Sequence, residues 1–248
     1  MDLVREDTLL VCLMHVNNET GIIQPIQSVG SGLKGSGVLF HIDATQSVGK
    51  LVDDLRAASY SSLSMSAHKI GGPQGVGALI LKKQGYRRSP VRGIMFGGQQ
   101  EHGIRPGTIP VALVAGLCES CKIARESYRD SLEKCAIIKA NLVEMLDKSG
   151  VTYTLNGDQN FCIPSTMNIC FAGMSSEALM LTTKQYCAIS NGSACNSKSY
   201  EPSYVLRAMG IPDEKIECSV RVSWGPLEDM NLVKDSFMEL VKIVQALV

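Results

Sequence analysis

No stretch of this chain approaches the ~20 consecutive apolar residues that a membrane-spanning helix needs. Its opening, MDLVREDTLL, lacks the charged, apolar and small-residue zones of a secretory signal. An excess of charge is missing too: 24 Lys and Arg balance 24 Asp and Glu. That removes any electrostatic reason to expect nucleic acid or an anionic membrane as a direct partner. Nine cysteines are present, at 12, 118, 121, 135, 162, 170, 187, 195 and 218, but their odd number and scattered spacing form no disulfide framework. Cys118 and Cys121 make a CxxC inside a helical pattern, with no second CxxC and no paired histidines. Two thiols on a helix face explain that motif better than a zinc or thioredoxin-type centre does. These absences predict a soluble, cytoplasmic protein in a reducing compartment, with no metal and with neither membrane nor nucleic acid bound directly.

What the chain does have is a core: 45% of its 248 residues are hydrophobic, enough for one large or two modest domains. Short apolar runs recur in the first hundred residues, at Leu9–Val16, Val38–Ala44, Ser62–Ser66 and Gly77–Leu81, each ending at a polar or glycine-rich loop. Leu51–Ala57 reads as a charged connection between two of them. This pattern predicts strands buried on both faces of a mostly parallel α/β sheet. From about Ile109 the texture becomes helical, with Val111, Val114, Leu117, Ala124, Leu132, Ile137, Leu142 and Leu146 as the expected apolar side and an end near Gly150. An antiparallel set is expected next, from Thr166–Phe171, Cys187–Ile189 and Ser219–Ser223, and then an amphipathic helix over Asn231–Val248. The chain divides into a large-domain part, 1–125, and a smaller α+β domain, 126–248.

Active residues of parallel sheets gather beyond the carboxyl ends of the strands. Asp43 ends the run VLFHIDA, and Lys69 follows the next strand in SAHKIGGPQGVGAL. Alone, Asp43 reads as a cap or ion-pair partner and Lys69 as a snorkelling surface amine. Together they suit a pyridoxal phosphate enzyme, which needs a lysine to bond the cofactor aldehyde and an acid to hold the proton on the ring nitrogen. Burial would favour the neutral, nucleophilic form of such a lysine. The glycines around Lys69 are expected to keep side chains out of the cofactor's approach. His15 and His41 sit in apolar runs and read as satisfied core histidines.

Seven segments then occur in order: HVNNETG (15–21), HIDATQSVGK (41–50), SAHKIGGPQGVGAL (66–79), GGQQEHGIRPGT (97–108), SNGSACNS (190–197), EPSYVLRAMGI (201–211) and SVRVSWG (219–225). From about residue 5 to its C-terminus the chain resembles cysteine desulfurases of the bacterial iron–sulfur and nitrogenase-maturation type, within the class V aminotransferase group. The resemblance implies the type I pyridoxal phosphate transferase fold, L-cysteine as substrate, and delivery of sulfur to acceptor or iron–sulfur scaffold proteins. It makes Lys69 the cofactor lysine and Asp43 the ring-nitrogen partner. Asn18 and Gln46 match residues that bond the cofactor's phenolic oxygen, and Ser66 and His68 match phosphate contacts. Thr108 matches a threonine reaching the phosphate of the other subunit, which implies a homodimer. Arg221 matches the clamp on the substrate carboxylate and Cys195 the nucleophile that accepts sulfur.

Residue chemistry agrees with several of these assignments. A hydroxyl and a ring donor suit a phosphate, and a guanidinium fork suits a carboxylate. Cys195 lies in a small, polar, glycine-containing stretch, where a thiolate can be offered to a substrate sulfur. The other eight cysteines sit in apolar or helical contexts and are expected to be inert. Family members carry a further N-terminal half, with a phosphate-cradling loop and a histidine that stacks on the ring; neither is visible before HVNNETG. The resemblance therefore implies that this chain alone holds only part of the cofactor site. A selenocysteine lyase, a desulfurase serving DNA or tRNA modification, and a catalytically incomplete scaffold or dimerisation module remain as alternatives.

Overall fold

Four of the apolar runs pair into one sheet in the computed structural model, which describes residues 2–83, 90–192 and 202–247. Its strands are β1 (Leu10–Met14), β2 (Leu39–Asp43), β3 (Ser62–Ser66) and β4 (Gly77–Leu81), side by side in sequence order. β1, β2 and β3 run parallel, with Cys12 opposite His41 and Asp43 opposite Ser64. β4 returns antiparallel to β3, pairing Ser66 with Gly77. The carboxyl ends of β2 and β3 thus open on the same side as the β3–β4 turn.

Two short helices connect the parallel strands, α1 (Ile26–Gly32) and α2 (Val52–Ala57). α2 occupies the segment read from sequence as a charged connection. The core of this unit packs Ile26 and Leu33 against Phe40, Ile42 and Leu63. Each fully buried aliphatic or aromatic side chain of this kind contributes about 1.5–3 kcal/mol. Burial on both faces, expected for every strand, fails at the sheet edges, where Leu10, Leu79 and Ile80 are exposed. β1 and β4 are edge strands and pack less of their surface than β2, in which Phe40 and Ile42 are fully covered.

α3 (Val111–Ser149) runs from Pro110 to Gly150, whose φ of 74° is the left-handed conformation that ends helices. Its buried positions are Ser120, Tyr128, Cys135, Ile138, Leu142 and Leu146, spaced near helical period. Val111, Val114 and Ile137, expected on the apolar side, are exposed. An apolar side chain marks a possible stripe, whereas the packing partner decides which stripe is covered.

The second sheet is antiparallel, ordered β5 (Tyr153–Leu155), β6 (Thr166–Phe171) and β7 (Ser219–Ser223). β6 is central and buried throughout. The expected strand at Cys187–Ile189 does not form: Cys187 closes a turn on Thr183, and only Ser190 pairs, with Arg221. β5 takes the third place instead. Around this sheet lie α4 (Ser176–Thr183), α5 (Tyr204–Ala208), α6 (Asp213–Glu217) and α7 (Met230–Leu247). α7 buries Phe237, Leu240, Val241 and Val244, the stripe its sequence predicts. Trp224 is only 9% exposed and donates its indole N–H to the Cys135 carbonyl at 3.1 Å.

Backbone contacts divide the chain into two units, Met1–Val16 with Gln24–Tyr128, and Asn17–Ile23 with Arg129–Val248. The excursion 17–23 joins the second unit through an isolated bridge between Ile22 and Cys162. No helix among the described residues is long and apolar enough to cross a membrane.

Candidate active site

In the first unit, strand ends position the chemistry. Asp43 closes β2, and its Oδ1 accepts from the Thr45 backbone N–H at 2.9 Å. This short Asp-turn fixes the carboxyl group and leaves Oδ2 without a partner among the described residues. Gln46, partly buried, lies in the same turn. β3 ends at Ser66 and passes into a 3-10 turn, Ala67–Ile70, that carries His68 and Lys69. Ser66 Oγ and His68 Nδ1 are 2.8 Å apart, so the two expected phosphate contacts are already hydrogen-bonded to each other.

Lys69 is exposed, and its amine has no hydrogen bond or ion pair among the described residues. The expectation of a buried lysine is not met, because the 3-10 turn carries its side chain beyond the sheet rather than into it. The glycines also do more than clear a path. Gly71 ends the 3-10 turn at φ 78°, and a Cβ at Gly72 would stand 2.6 Å from Ser120 Oγ and 3.0 Å from the Ala67 carbonyl. Gly72 is therefore a packing contact that seats the turn on α3. Thr108 is exposed, in a loop where Glu101 and His102 hold positive φ of 49° and 58°. Non-glycine residues at such angles are sparse, and they gather at functional loops.

Two histidines flank this region. His41 is satisfied as expected, with Nδ1 2.8 Å from Ser62 Oγ and Nε2 3.3 Å from Ser64 Oγ. His15 is 1% exposed, its Nδ1 has no partner among the described residues, and its Nε2 lies 3.8 Å from Asp54 Oδ2. Burial pulls its pKa down, with Asp54 opposing.

The second unit holds a separate polar assembly. The loop 17–22 is wound by Asn17, whose Oδ1 accepts from the backbone N–H of Glu19 at 2.9 Å and of Thr20 at 3.0 Å. Gly21 completes it at φ 76°, where a Cβ would stand 2.6 Å from Thr166 Cγ2. Arg221, on β7, donates from Nη1 to the Asn18 carbonyl at 2.8 Å. That contact aims the guanidinium, and among the described residues its other N–H groups have no side-chain or carbonyl partner. Arg221 also exchanges both backbone hydrogen bonds with Ser190.

Behind Arg221 is a buried network that sequence reasoning did not find. Asn168 donates to the Glu19 carbonyl at 3.2 Å, and Asn156 donates to Asn168 Oδ1 at 2.7 Å and Ser219 Oγ at 2.8 Å. Glu19 is 2% exposed and accepts from Ser203 Oγ at 2.5 Å. Its place inside HVNNETG was the only available signal, because nothing in residue type separates a buried glutamate from a solvated one. Cys195 falls in 193–201, outside the described residues. Of the other cysteines, Cys12 on β1 and Cys118 on α3 are exposed. Burial pushes the Cys121, Cys162, Cys170 and Cys187 thiols up, away from the reactive thiolate.

The chain has extensive likeness to known proteins. Residues 1–235 match the family described as aminotransferase class-V. The cysteine desulfurase IscS of Pectobacterium atrosepticum is 41% identical over 239 residues, which is 96% of this chain and 58% of that protein. The chain thus spans less than two thirds of the length of such relatives. Among solved structures, DndA from Streptomyces lividans is 38% identical with a TM-score of 0.78, over 90% of this chain and 63% of that one. A NifS-like protein is 28% identical with a TM-score of 0.86, over 99% of this chain and 63% of that one. These likenesses fix the fold as that of the pyridoxal phosphate-dependent desulfurases.

Proposed function

This chain belongs to the class-V aminotransferase family, and we propose that it works as a pyridoxal phosphate-dependent cysteine desulfurase. The observation that carries the reading is the pairing of Lys69 and Asp43. Asp43 closes β2 and Lys69 follows the carboxyl end of the adjacent parallel strand β3, and among the described residues the amine and one carboxylate oxygen have no partner. A pyridoxal group fits that donor set. Residues 1–125 are read as the C-terminal part of a large cofactor-binding domain and 126–248 as the small domain with the nucleophile.

When bound, the cofactor supplies an electron sink for the substrate Cα. Lys69 would hold the cofactor through its aldehyde and, as a free amine, would carry the proton from the substrate Cα. Asp43 would hold the proton on the ring nitrogen, Asn18 and Gln46 would bond the phenolic oxygen, and Ser66 and His68 would hold the phosphate. The free N–H groups of Arg221 hold the carboxylate of L-cysteine. Cys195 Sγ, as thiolate, attacks the substrate sulfur. An S–S bond forms, the substrate Cβ–S bond breaks, and its electron pair stays on Cβ, where a proton completes L-alanine. The sulfur remains on Cys195 as a persulfide for an acceptor or iron–sulfur scaffold protein.

The finer features of the reading are a homodimer, in which Thr108 reaches the partner's phosphate, and a cytoplasmic location. Ile94 and Phe96, 90% and 92% exposed beside the Thr108 loop, support an intersubunit surface. The test is alanine and sulfide formation from L-cysteine by the holoenzyme, with L-selenocysteine in parallel. Cys195→Ser should retain substrate binding and lose ~10³-fold or more in alanine formation. Normal turnover without Cys195 would overturn the assignment, and turnover confined to L-selenocysteine would make the protein a lyase instead.

A further inference from the structure

Two opposite residues of the β6–β7 ladder reach for two successive carbonyls of one loop. Asn168 and Arg221 pair in register, so their side chains leave the same face of the sheet. Arg221 Nη1 donates to the Asn18 carbonyl at 2.8 Å, and Asn168 Nδ2 donates to the Glu19 carbonyl at 3.2 Å. Arg221 is partly buried, whereas Asn168 is 2% exposed. The chemistry proposed for the site uses the arginine and leaves the asparagine idle.

The carbonyl that Arg221 grips is itself aimed. It belongs to the Asn18–Glu19 peptide, whose N–H is taken by Asn17 Oδ1 at 2.9 Å. In a trans peptide the N–H and the carbonyl point apart, so that bond turns the carbonyl away from Asn17. The next peptide is held in the same way. Thr20 N–H goes to Asn17 Oδ1 at 3.0 Å, and the Glu19 carbonyl goes to Asn168. Two peptide planes fixed in this way set the backbone angles of Glu19, and with them the direction of the Asn18 carbonyl. Asn168 is the restraint that ties those planes to the sheet beside Arg221.

Nor can the Asn168 amide turn over. Its Oδ1 accepts from Asn156 Nδ2 at 2.7 Å, and the same Nδ2 donates to Ser219 Oγ at 2.8 Å. Ser219 Oγ gives its own proton to the Lys215 carbonyl at 2.6 Å. Each donor in the chain is committed, so Asn168 presents N–H rather than oxygen to Glu19. Asn156 and Ser219 are buried like Asn168, and an unmade bond among them is costly. All these contacts lie within the second unit.

We propose that Asn168 is a positioning residue for substrate binding. It holds the Asn18–Glu19 segment so that the Asn18 carbonyl aims the Arg221 guanidinium at the substrate carboxylate. This rests on the desulfurase reading, in which Arg221 is the carboxylate clamp. Asn168 touches neither substrate nor cofactor in this role and acts through the arginine.

The experiment uses the pyridoxal phosphate-loaded protein and the variants Asn168→Leu, Arg221→Lys and the two combined. Leucine keeps nearly the shape of asparagine and removes its donor. In Asn168→Leu the KM for L-cysteine should rise about 10-fold, the scale of one weakened hydrogen bond to a charged group. Its kcat should stay within about threefold, because the lost interaction binds ground state and transition state alike. The dissociation constant of L-alanine, which has the same carboxylate and no sulfur, should rise by the same factor in a titration without turnover. Because Asn168 acts through Arg221, the double variant should stay within about twofold of Arg221→Lys alone. Should Asn168→Leu not fold, Asn156→Ala frees the same amide with Asn168 left in place, and a smaller rise in KM is expected. Unchanged KM and alanine affinity in the variant that folds, effects that multiply in the double variant, or a loss of kcat at constant KM overturns the proposal. An unaltered protein that binds L-alanine but forms none from L-cysteine refutes the desulfurase reading instead, and the alanine titrations then decide the role of Asn168.

Discussion

Arg221 and Ser190 exchange both of their backbone hydrogen bonds, Arg221 N–H to the Ser190 carbonyl at 2.6 Å and Ser190 N–H to the Arg221 carbonyl at 3.2 Å. The guanidinium is thus carried on a backbone fixed from two sides, by β6 and by Ser190. Its aim depends on the side chain alone. Arg221→Lys should keep the strand pairing and lose the planar fork, because an ammonium grips a carboxylate as a point charge. The expected result is a KM for L-cysteine raised ~10-fold or more, equivalent to about 1.4 kcal/mol or above, with thermal stability nearly unchanged. An unaltered KM would remove Arg221 from the substrate site.

Lys69 gives a second test through covalent trapping. Borohydride reduction of the pyridoxal phosphate-loaded protein should yield one pyridoxyl-lysine peptide containing residue 69. Lys69→Ala should abolish that peptide and the turnover together. Because Lys69 is exposed and unpaired among the described residues, the substitution should cost little stability, within about 0.5 kcal/mol as for ordinary surface changes. A reduced pyridoxyl-lysine elsewhere in the variant would assign the anchor to another residue.

His15 predicts a pH dependence of stability with a defined sign. Its imidazole is buried with Nδ1 unpartnered among the described residues, and burial holds its folded pKa below the ordinary value of about 6.5. Above that pH it is neutral in both states and no linkage arises. As pH falls through ~6.5 the unfolded chain takes up a proton that the folded state refuses, so stability declines toward the lower folded pKa. The slope is at most one proton, about 1.4 kcal/mol per pH unit. Urea unfolding followed by far-ultraviolet circular dichroism at pH 7.0 and 5.5 should show this loss, and His15→Leu should reduce it. An identical pH slope in the variant would mean the titration lies elsewhere.

Much of the first unit was legible because its signals are local. Ser62–Ser66 and Gly77–Leu81 are strands with the bounds that sequence predicts, as are Thr166–Phe171 and Ser219–Ser223 in the second unit. Apolar runs bounded by glycine or polar loops are enough for that. Tyr153–Leu155 was missed because three residues show no period, and Cys187–Ile189 was read as a strand because a short apolar run looks alike in a turn. The candidate site is read from motifs alone; Asp43 closes β2, and Lys69 follows the end of β3 in the 3-10 turn. The Glu19–Ser203 contact was not, because it closes 184 positions of sequence and no local pattern encodes it. The unpartnered Nδ1 of His15 is equally hidden: sequence marks a histidine as buried, while only packing reveals whether its ring is satisfied among the described residues.

The chain's single tryptophan has an optical consequence. Trp224 belongs to the second unit, and its indole is bonded to the Cys135 carbonyl there. Its emission therefore reports on the environment of the antiparallel sheet and is spectroscopically silent about the four-stranded sheet that carries Lys69. Tyr60 and Tyr128 lie in that first unit, with the Tyr128 hydroxyl bonded to Asp53. Excitation at the red edge, which selects tryptophan, and excitation that includes tyrosine thus sample the two units unequally. Tyr153, Tyr186 and Tyr204 lie in the second unit as well, so tryptophan-selective excitation isolates the second unit while the tyrosine signal mixes both.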